Sequence, residues 1–284
     1  MDVKTGYIEK NKKGKIKIRK ITKEKAYFWV VFLFLIIISL YKIITINVGE
    51  INISDSFKDF FKNIKLMFFE ARLSEKYTFS EILNSLFVTI SLAALTTMIG
   101  SFFALFLSFF AATNLSNEKT SKVIKICMSF IRAVPTILWV MIFSVVASIG
   151  VEASILGMVF HSVAYLVKAY SEIMEEIDKG VIESLKATGS SWWQIIFQGI
   201  IPSSISSILS WTFVRFEINF TNAVVVGAAS GAGGIGYEMF MAGTMYADIK
   251  EVGFFTYLIL IVALILEIIS VRLRKKYKKK KINE

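Results

Sequence analysis

Residues 181–202, VIESLKATGSSWWQIIFQGIIP, decide how this 284-residue chain is read. The stretch is a largely polar, turn-broken interruption between two long apolar runs. Glu172, Glu175, Glu176, Asp178, Glu183 and Lys186 stand in it or just ahead of it, and such charges are costly in hydrocarbon. Ala187 follows them, and Thr188-Gly189 then predicts a helix stop with the glycine left-handed. Ser190 or Ser191 can cap a second short helix from Trp192. Trp192 and Trp193 favour a membrane interface. Pro202 fits the first turn of the next span, where its missing N–H costs nothing. Residues 171–202 are therefore expected to form a helix–turn–helix elbow at a membrane surface, a rigid handle for a partner. The plainer alternative is an ordinary interfacial loop.

The rest of the chain supports a membrane setting. It is 55% hydrophobic, with 25 Phe and only 2 Pro, and several apolar runs approach or exceed the roughly 20 residues that cross a bilayer. No set of alternating ten-residue strands is present, so helices must satisfy the backbone in lipid. The net charge of +11 is concentrated at the two ends. Lys and Arg crowd residues 4–25 and again 272–281, each time against an apolar segment. That is how inner flanks look under the positive-inside rule, and it argues against a nucleic-acid partner. Cys127 is the only cysteine and His161 the only histidine. Neither an intrachain disulfide nor a His-rich metal centre is expected.

Six spans follow, with both termini inside. A basic segment 1–25 precedes the first, 26–48. Residues 49–80 read as an outer amphipathic segment in which Ile53, Phe57, Phe60, Phe61, Ile64 and Phe68 recur at helical spacing. The core, 81–272, holds spans at about 82–112, 126–149, 153–170, 202–226 and 253–271, and a basic tail, 273–284, ends the chain. Ser and Thr along 82–112, with Gly100, suit close helix contact in lipid. Pro135 is expected to kink the third span.

Charge inside the spans marks candidate sites. Arg215 lies 13 residues past Pro202, roughly 20 Å along a helix and too deep to reach the inner surface easily. Glu217 points about 200° away from it. Both need partners elsewhere, either in a structural ion pair or in a polar pathway, the usual meaning of buried charge in membranes. Asn219 and Asn222 add polarity. Arg132 near the inner end of its span can snorkel. His161 is expected to be a polar helix contact rather than a catalyst, since Ser162 points about 100° from it.

The spacing Glu183-Ser184-Leu185, then Gly189, then Ile201-Pro202 resembles the coupling loop of ABC importer permeases, Glu-Ala-Ala-x3-Gly-x9-Ile-x-Leu-Pro. HSVAYLVKAYSE at 161–172, ESLKATGSSWWQ at 183–194, RFEINF at 215–220, GAGGIGYE at 231–238 and IRAVPTILW at 131–139 extend the likeness to the permeases of phosphonate-type importers. It covers about residues 82–274. The departures are Ser184 and Leu185 in place of Ala-Ala, and Gly199 in place of Ile.

The resemblance implies an all-α integral protein of the type I, MetI-like permease fold in the bacterial inner membrane. It implies two separate ATPase subunits holding ATP and Mg, gripping Glu183, Ser184, Leu185, Ala187 and Gly189, with Pro202 closing the loop. It also implies an outer binding protein, a second permease subunit, commonly an identical copy, and a phosphonate or related phosphorus oxyanion as solute. Arg215, Glu217, Asn219 and Arg132 would then line the pathway. Gly231, Gly233, Gly234 and Gly236 form either a flexible turn or an outer gate. The chain has no G-x-x-x-x-G-K-[ST] phosphate loop, so ATP is expected to be hydrolysed elsewhere. Three other readings remain: the same fold importing another solute such as an amino acid, an ATP-independent secondary transporter, which would show an internal repeat, and a membrane enzyme, for which one His and one Cys supply little.

Overall fold

The structure, a computed structural model, describes residues 8–10, 16–18, 23–45 and 52–283. It divides into two units, 1–59 and 60–284. The first contains a short antiparallel pair, β1 (Ile8–Lys10) and β2 (Ile16–Ile18), with Glu9 opposite Lys17. The expected first span is α1 (Lys23–Thr45), about 34 Å long at 1.5 Å per residue. Its side chains from Lys25 onward are exposed and almost wholly apolar. A helix apolar all round is stable only where its surroundings are apolar too. The helix α2 (Ile53–Phe69) carries the expected amphipathic pattern and runs across the division between the units.

The second unit is a helical bundle. Its first long helix, α3 (Phe79–Ala111), starts at a capping box: Thr78 Oγ1 accepts from the Glu81 N–H, and the Glu81 carboxylate accepts from the Thr78 N–H at 2.7 Å. The expected third span is instead broken in two. The segments α4 (Glu118–Ala133) and α5 (Thr136–Ala147) meet at 92°. Proline disfavours helical backbone in the residue before it, and Val134 is extended. At 12 residues, about 18 Å, α5 is too short to cross hydrocarbon alone.

Next, α6 (Val151–Glu175) returns along α5 and continues five residues beyond the expected end at Tyr170. Ser171, Ile173 and Met174 are buried, so residues 171–175 belong to the packed helix and not to the polar loop. The elbow contains α7 (Lys179–Ala187) and a single turn, α8 (Trp192–Gln194). A π-helical stretch (Ile195–Ile200) then leads without a break into α9 (Ile201–Ser230). Two more helices, α10 (Ile235–Thr244) and α11 (Ile249–Asn283), complete the unit. Among the described residues five helices are long and apolar enough to span a membrane, six with the broken pair taken as one.

Small residues set the approach of the helices. A Cβ on Gly100 would stand 2.7 Å from Ser162 Cβ, and one on Gly157 would stand 2.6 Å from the backbone of Val140. This is the packing expected of small and hydroxyl residues in lipid. Two apolar clusters result. One gathers Phe109, Leu166, Tyr170, Ile196 and Ile200, and the other Ile82, Met158, Phe220, Ile235 and Phe255. Between the two clusters the buried positions of α3, α6 and α9 include Thr96, Thr97, Ser162, Arg215 and Asn219, all polar.

Candidate functional site

Two sites emerge, the elbow and the polar layer. The elbow's first helix is capped by Asp178, whose carboxylate accepts from the Gly180 N–H at 2.6 Å. It ends in a Schellman motif: the Ser190 N–H reaches Leu185 O at 3.1 Å and the Gly189 N–H reaches Lys186 O at 3.0 Å. Gly189 has φ +78°, the left-handed backbone its position predicts. Ser191 then caps the next turn in a capping box with Gln194.

Tertiary contacts lock this geometry. Ile182 is buried, and Trp192 Nε1 donates to Leu115 O at 2.8 Å. Nearby, Glu175 accepts from Lys125 Nζ at 2.7 Å and from the Thr113 N–H, also at 2.7 Å. Glu183, Ser184, Lys186 and Ala187 remain exposed on the outer face of α7. Leu185 turns inward, where its Cδ1 is 2.7 Å from the place a Cβ on Gly199 would take. Two of the three departures from the coupling motif, Leu185 and Gly199, are thus one compensated contact, with a larger side chain at 185 and none at 199.

Pro202 does not open a separate span. The helical path from Trp192 to Ser230 is continuous, and the Ile201 N–H bonds back to Ile196 O in the wider π register. Proline within a helix lacks its own donor and crowds the carbonyl four residues earlier. A π-turn just ahead of it adds room on that side.

The polar layer joins α3, α6 and α9. Asn219, fully buried, donates through Nδ2 to Thr97 Oγ1 at 2.8 Å and to Ser162 Oγ at 3.0 Å. Arg215 is 1% exposed. Its Nε donates to Ser162 Oγ at 3.1 Å, its Nη2 lies 3.1 Å from His161 Nδ1, and its guanidinium sits 5.0 Å from the centre of the Tyr165 ring. Arg215 therefore forms no ion pair with Glu217, which is half-buried and has no ion pair among the described residues.

Arg132, next to the end of α4, is partly buried, and its Nη2 donates to Ser129 Oγ at 3.2 Å on the same helix. The helix break leaves acceptors free there, because the last carbonyls of a helix lack internal partners. Ile131 O takes the Trp139 Nε1–H at 2.9 Å. Sequence reasoning placed His161 at a helix contact but missed its contact with Arg215, since that requires α6 and α9 to be packed together.

The glycine run takes left-handed backbone at three positions. Gly231, Gly233 and Gly234 have φ of +64°, +78° and +81°, and Gly231 is the left-handed stop of α9. Gly236 lies inside α10, where a Cβ would fall 1.8 Å from Val224 O. Next to it, the Ile235 N–H donates to Thr89 Oγ1 at 2.9 Å.

Residues 104–282 match the family model for the binding-protein-dependent transport system inner membrane component. The chain belongs to this family. It is accordingly a multi-pass inner-membrane component of an ABC transport system. The phosphite transport permease PtxC of Stutzerimonas stutzeri is 27% identical over 191 residues, covering 67% of this chain and 69% of that protein. The putative cryptic phosphonate permease PhnE2 of Escherichia coli K12 is 33% identical over 122 residues, 43% of this chain and 98% of that one. The methionine permease MetP of Bacillus subtilis 168 is 28% identical over 162 residues, 54% of this chain and 72% of its own. The match to the phosphate-import permease PhnE of Mycolicibacterium smegmatis, at 29% identity, covers 39% of this chain but only 20% of that protein.

The inward-facing MetNI methionine ABC transporter shares the fold of this inner-membrane component, with a TM-score of 0.65 at 17% identity over 72% of this chain and 99% of the matched chain.

Proposed function

We propose that this chain is the permease subunit through which an ATP-binding-cassette importer moves a phosphorus oxyanion, phosphonate or phosphite, into the cytoplasm. The observation that carries the importer reading is the elbow. Glu183, Ser184, Lys186 and Ala187 stand outward on a short helix that is fixed at both ends by caps and pinned underneath by Ile182, Leu185 and Trp192. Such a helix transmits force because it cannot yield locally. In this reading two ATPase subunits, which hold ATP and Mg, each grip one elbow. An outer solute-binding protein delivers the ligand, and a second copy of the chain completes the pathway across the bilayer. The segment 231–236, joined to α3 through Thr89, serves as the outer gate.

The phosphorus class rests on the phosphite and phosphonate permeases among the relatives. A methionine permease of similar identity supports a second reading, the same machinery importing an amino acid.

The test is ATP-dependent uptake of labelled methylphosphonate by proteoliposomes holding this chain with its ATPase subunit and binding protein. Uptake that requires ATP and is lost with Gly189→Pro supports both solute class and coupling elbow. Methionine uptake without methylphosphonate uptake would replace the solute and keep the machinery. Uptake indifferent to ATP would overturn the importer reading.

A further inference from the structure

The turn between α3 and α4, residues 112–117, is fastened to the chain on both sides of α7. It closes on itself first, the Ser116 N–H reaching Ala112 O at 3.0 Å, and Asn117 then caps α4 by accepting from the Lys119 N–H at 2.7 Å. Residues 113–115 turn their polar groups elsewhere. Thr113 donates to Glu175 Oε1 through its N–H at 2.7 Å and through Oγ1 at 3.0 Å. Asn114 Nδ2 donates to Met174 O at 2.8 Å. Leu115 O accepts from Trp192 Nε1, also at 2.8 Å. Met174 and Glu175 end α6 just ahead of α7, and Trp192 opens the single turn just after it.

Packing stiffens these bonds. The same Glu175 oxygen takes Lys125 Nζ from α4 at 2.7 Å, so one carboxylate gathers two elements through charge-assisted hydrogen bonds. The Trp192 indole lies against the Phe110 ring of α3, with centroids 5.3 Å apart and planes at 32°. Leu115 and Trp192 pack on the same apolar cluster as the buried Ile182 of α7. Ser121 Oγ donates to Ala111 O at 2.5 Å and ties the start of α4 to the end of α3. The elbow is thus joined to the bundle by two routes. One is covalent, through the π-helical stretch into α9. The other runs through the 112–117 turn into α3 and α4.

We infer that the 112–117 turn is a second arm of the coupling machinery, through which a displacement of the elbow moves α3 and α4 together with α9. This rests on the importer reading above. Trp192 and Glu175 are its positioning residues. Close-packed rings and short hydrogen bonds pass a displacement on rather than absorb it. A push on α7 carries Trp192 with it, and the indole cannot leave Leu115 O without stranding its N–H in a partly buried site. The link from α6 into α7 adds no slack, because Glu175 and Met174 are held by the same turn. The elbow, the ends of α3 and α6 and the start of α4 therefore move as one body. A covalent link to α9 alone would leave α3 and α4 behind.

The experiment uses the complete importer, this chain with its ATPase subunits and binding protein, in nanodiscs. Spin labels replace the exposed Lys179 of α7 and Thr120 of α4 in one copy of the chain, with Cys127→Ser removing the exposed native thiol. A second sample carries the Lys179 label in both copies. Pulsed electron paramagnetic resonance should show the distance between positions 179 and 120 unchanged by a non-hydrolysable ATP analogue, while the distance between the two copies changes. In proteoliposomes, with labelled methylphosphonate and labelled methionine as probes, solute imported per ATP hydrolysed should fall roughly fivefold in Trp192→Phe, the worth of one hydrogen bond, since the ring against Phe110 is kept. Lys125→Met should lower the ratio similarly, Lys125→Arg should restore most of it, and Lys122→Met, at an exposed lysine one turn away, should leave it at the wild-type value. A purely structural contact would lower the unfolding temperature without changing the ratio. A 179–120 distance that shifts with nucleotide as much as the distance between copies, or a wild-type ratio in both Trp192→Phe and Lys125→Met, overturns the arm and leaves the importer reading standing. The distance measurement keeps every contact of the turn intact, so it decides the matter even where a variant fails to assemble. Distances indifferent to nucleotide together with uptake indifferent to ATP overturn the importer reading and the arm with it.

Discussion

Leu185 fills the space that a side chain at position 199 would need, its Cδ1 lying 2.7 Å from where a Gly199 Cβ would stand. The elbow helix α7 and the π-helical start of α9 are locked through this contact. Gly199→Ile should therefore overpack the joint and cost about 1–3 kcal/mol. Leu185→Ala alone leaves a cavity and should also destabilise. Together the two changes should recover most of the loss, because each removes the other's fault. Thermal unfolding of the four proteins of the cycle in detergent measures the coupling, and simple additivity would refute it.

Gly189 has open space around it but φ of +78°. In Gly189→Ala the added Cβ meets no neighbour, yet the change should still cost roughly 1–2 kcal/mol, the strain of left-handed backbone in a residue with a Cβ. Binding-protein-stimulated ATP hydrolysis should fall more than the stability of the chain does, because the elbow's angle is what changes. Equal losses in both would make the elbow merely structural.

Gly231 and Gly236 separate strain from packing. Gly231→Ala has room but φ of +64°, so a loss of about 1–2 kcal/mol is expected. Gly236→Ala would drive a methyl to 1.8 Å from Val224 O and push α10 away from α9, which should cost more. Unfolding temperatures of the two variants rank them, and the reverse order would contradict the packing described.

Asn219 ties Thr97 and Ser162 together across three helices. Asn219→Leu should leave those hydroxyls without their donor and destabilise the bundle by about 0.6–2 kcal/mol, the range for hydrogen bonds between membrane helices. Ser162→Ala should lower the benefit of Asn219, a dependence that a double-mutant cycle in detergent would detect.

The last turn of α2 and the segment after it are fastened to α11. Lys250 Nζ lies 2.6 Å from Glu70, Ser74 Oγ donates to Glu251 at 2.5 Å, and Tyr257 donates to Phe68 O at 2.6 Å. The Lys250 hydrogen bond, then its charge, holds the Glu70 carboxyl below its ordinary 4.5. A depressed acid contributes its stability in full above that ordinary value and loses it as pH falls through the lower folded value. Acidification below about 4.5 should therefore loosen residues 70–74, with faster amide exchange there. Lys250→Met should show the faster exchange already at neutral pH, and identical pH profiles for both proteins would discount the pair.

The sequence alone determined the membrane class, the count of spans and the elbow's local form. Those follow from composition and from chemistry between near neighbours: Asp178, Ser191 and Gly189 act on backbone only a few residues away, so their pattern is legible in one dimension. It also marked Arg215, Asn219 and Arg132 as polar residues within apolar runs.

Only the tertiary structure decided what those residues meet. A kink at Pro135 was predictable, but a 92° break depends on how α4 and α5 pack against α6, and the contact of Arg215 with His161 depends on how α9 packs against it. Likewise Leu185 and Gly199 read separately as departures from a motif, and only the fold shows them to be one contact. Local backbone preference acts within a turn of helix, whereas a partner tens of residues away is chosen by packing.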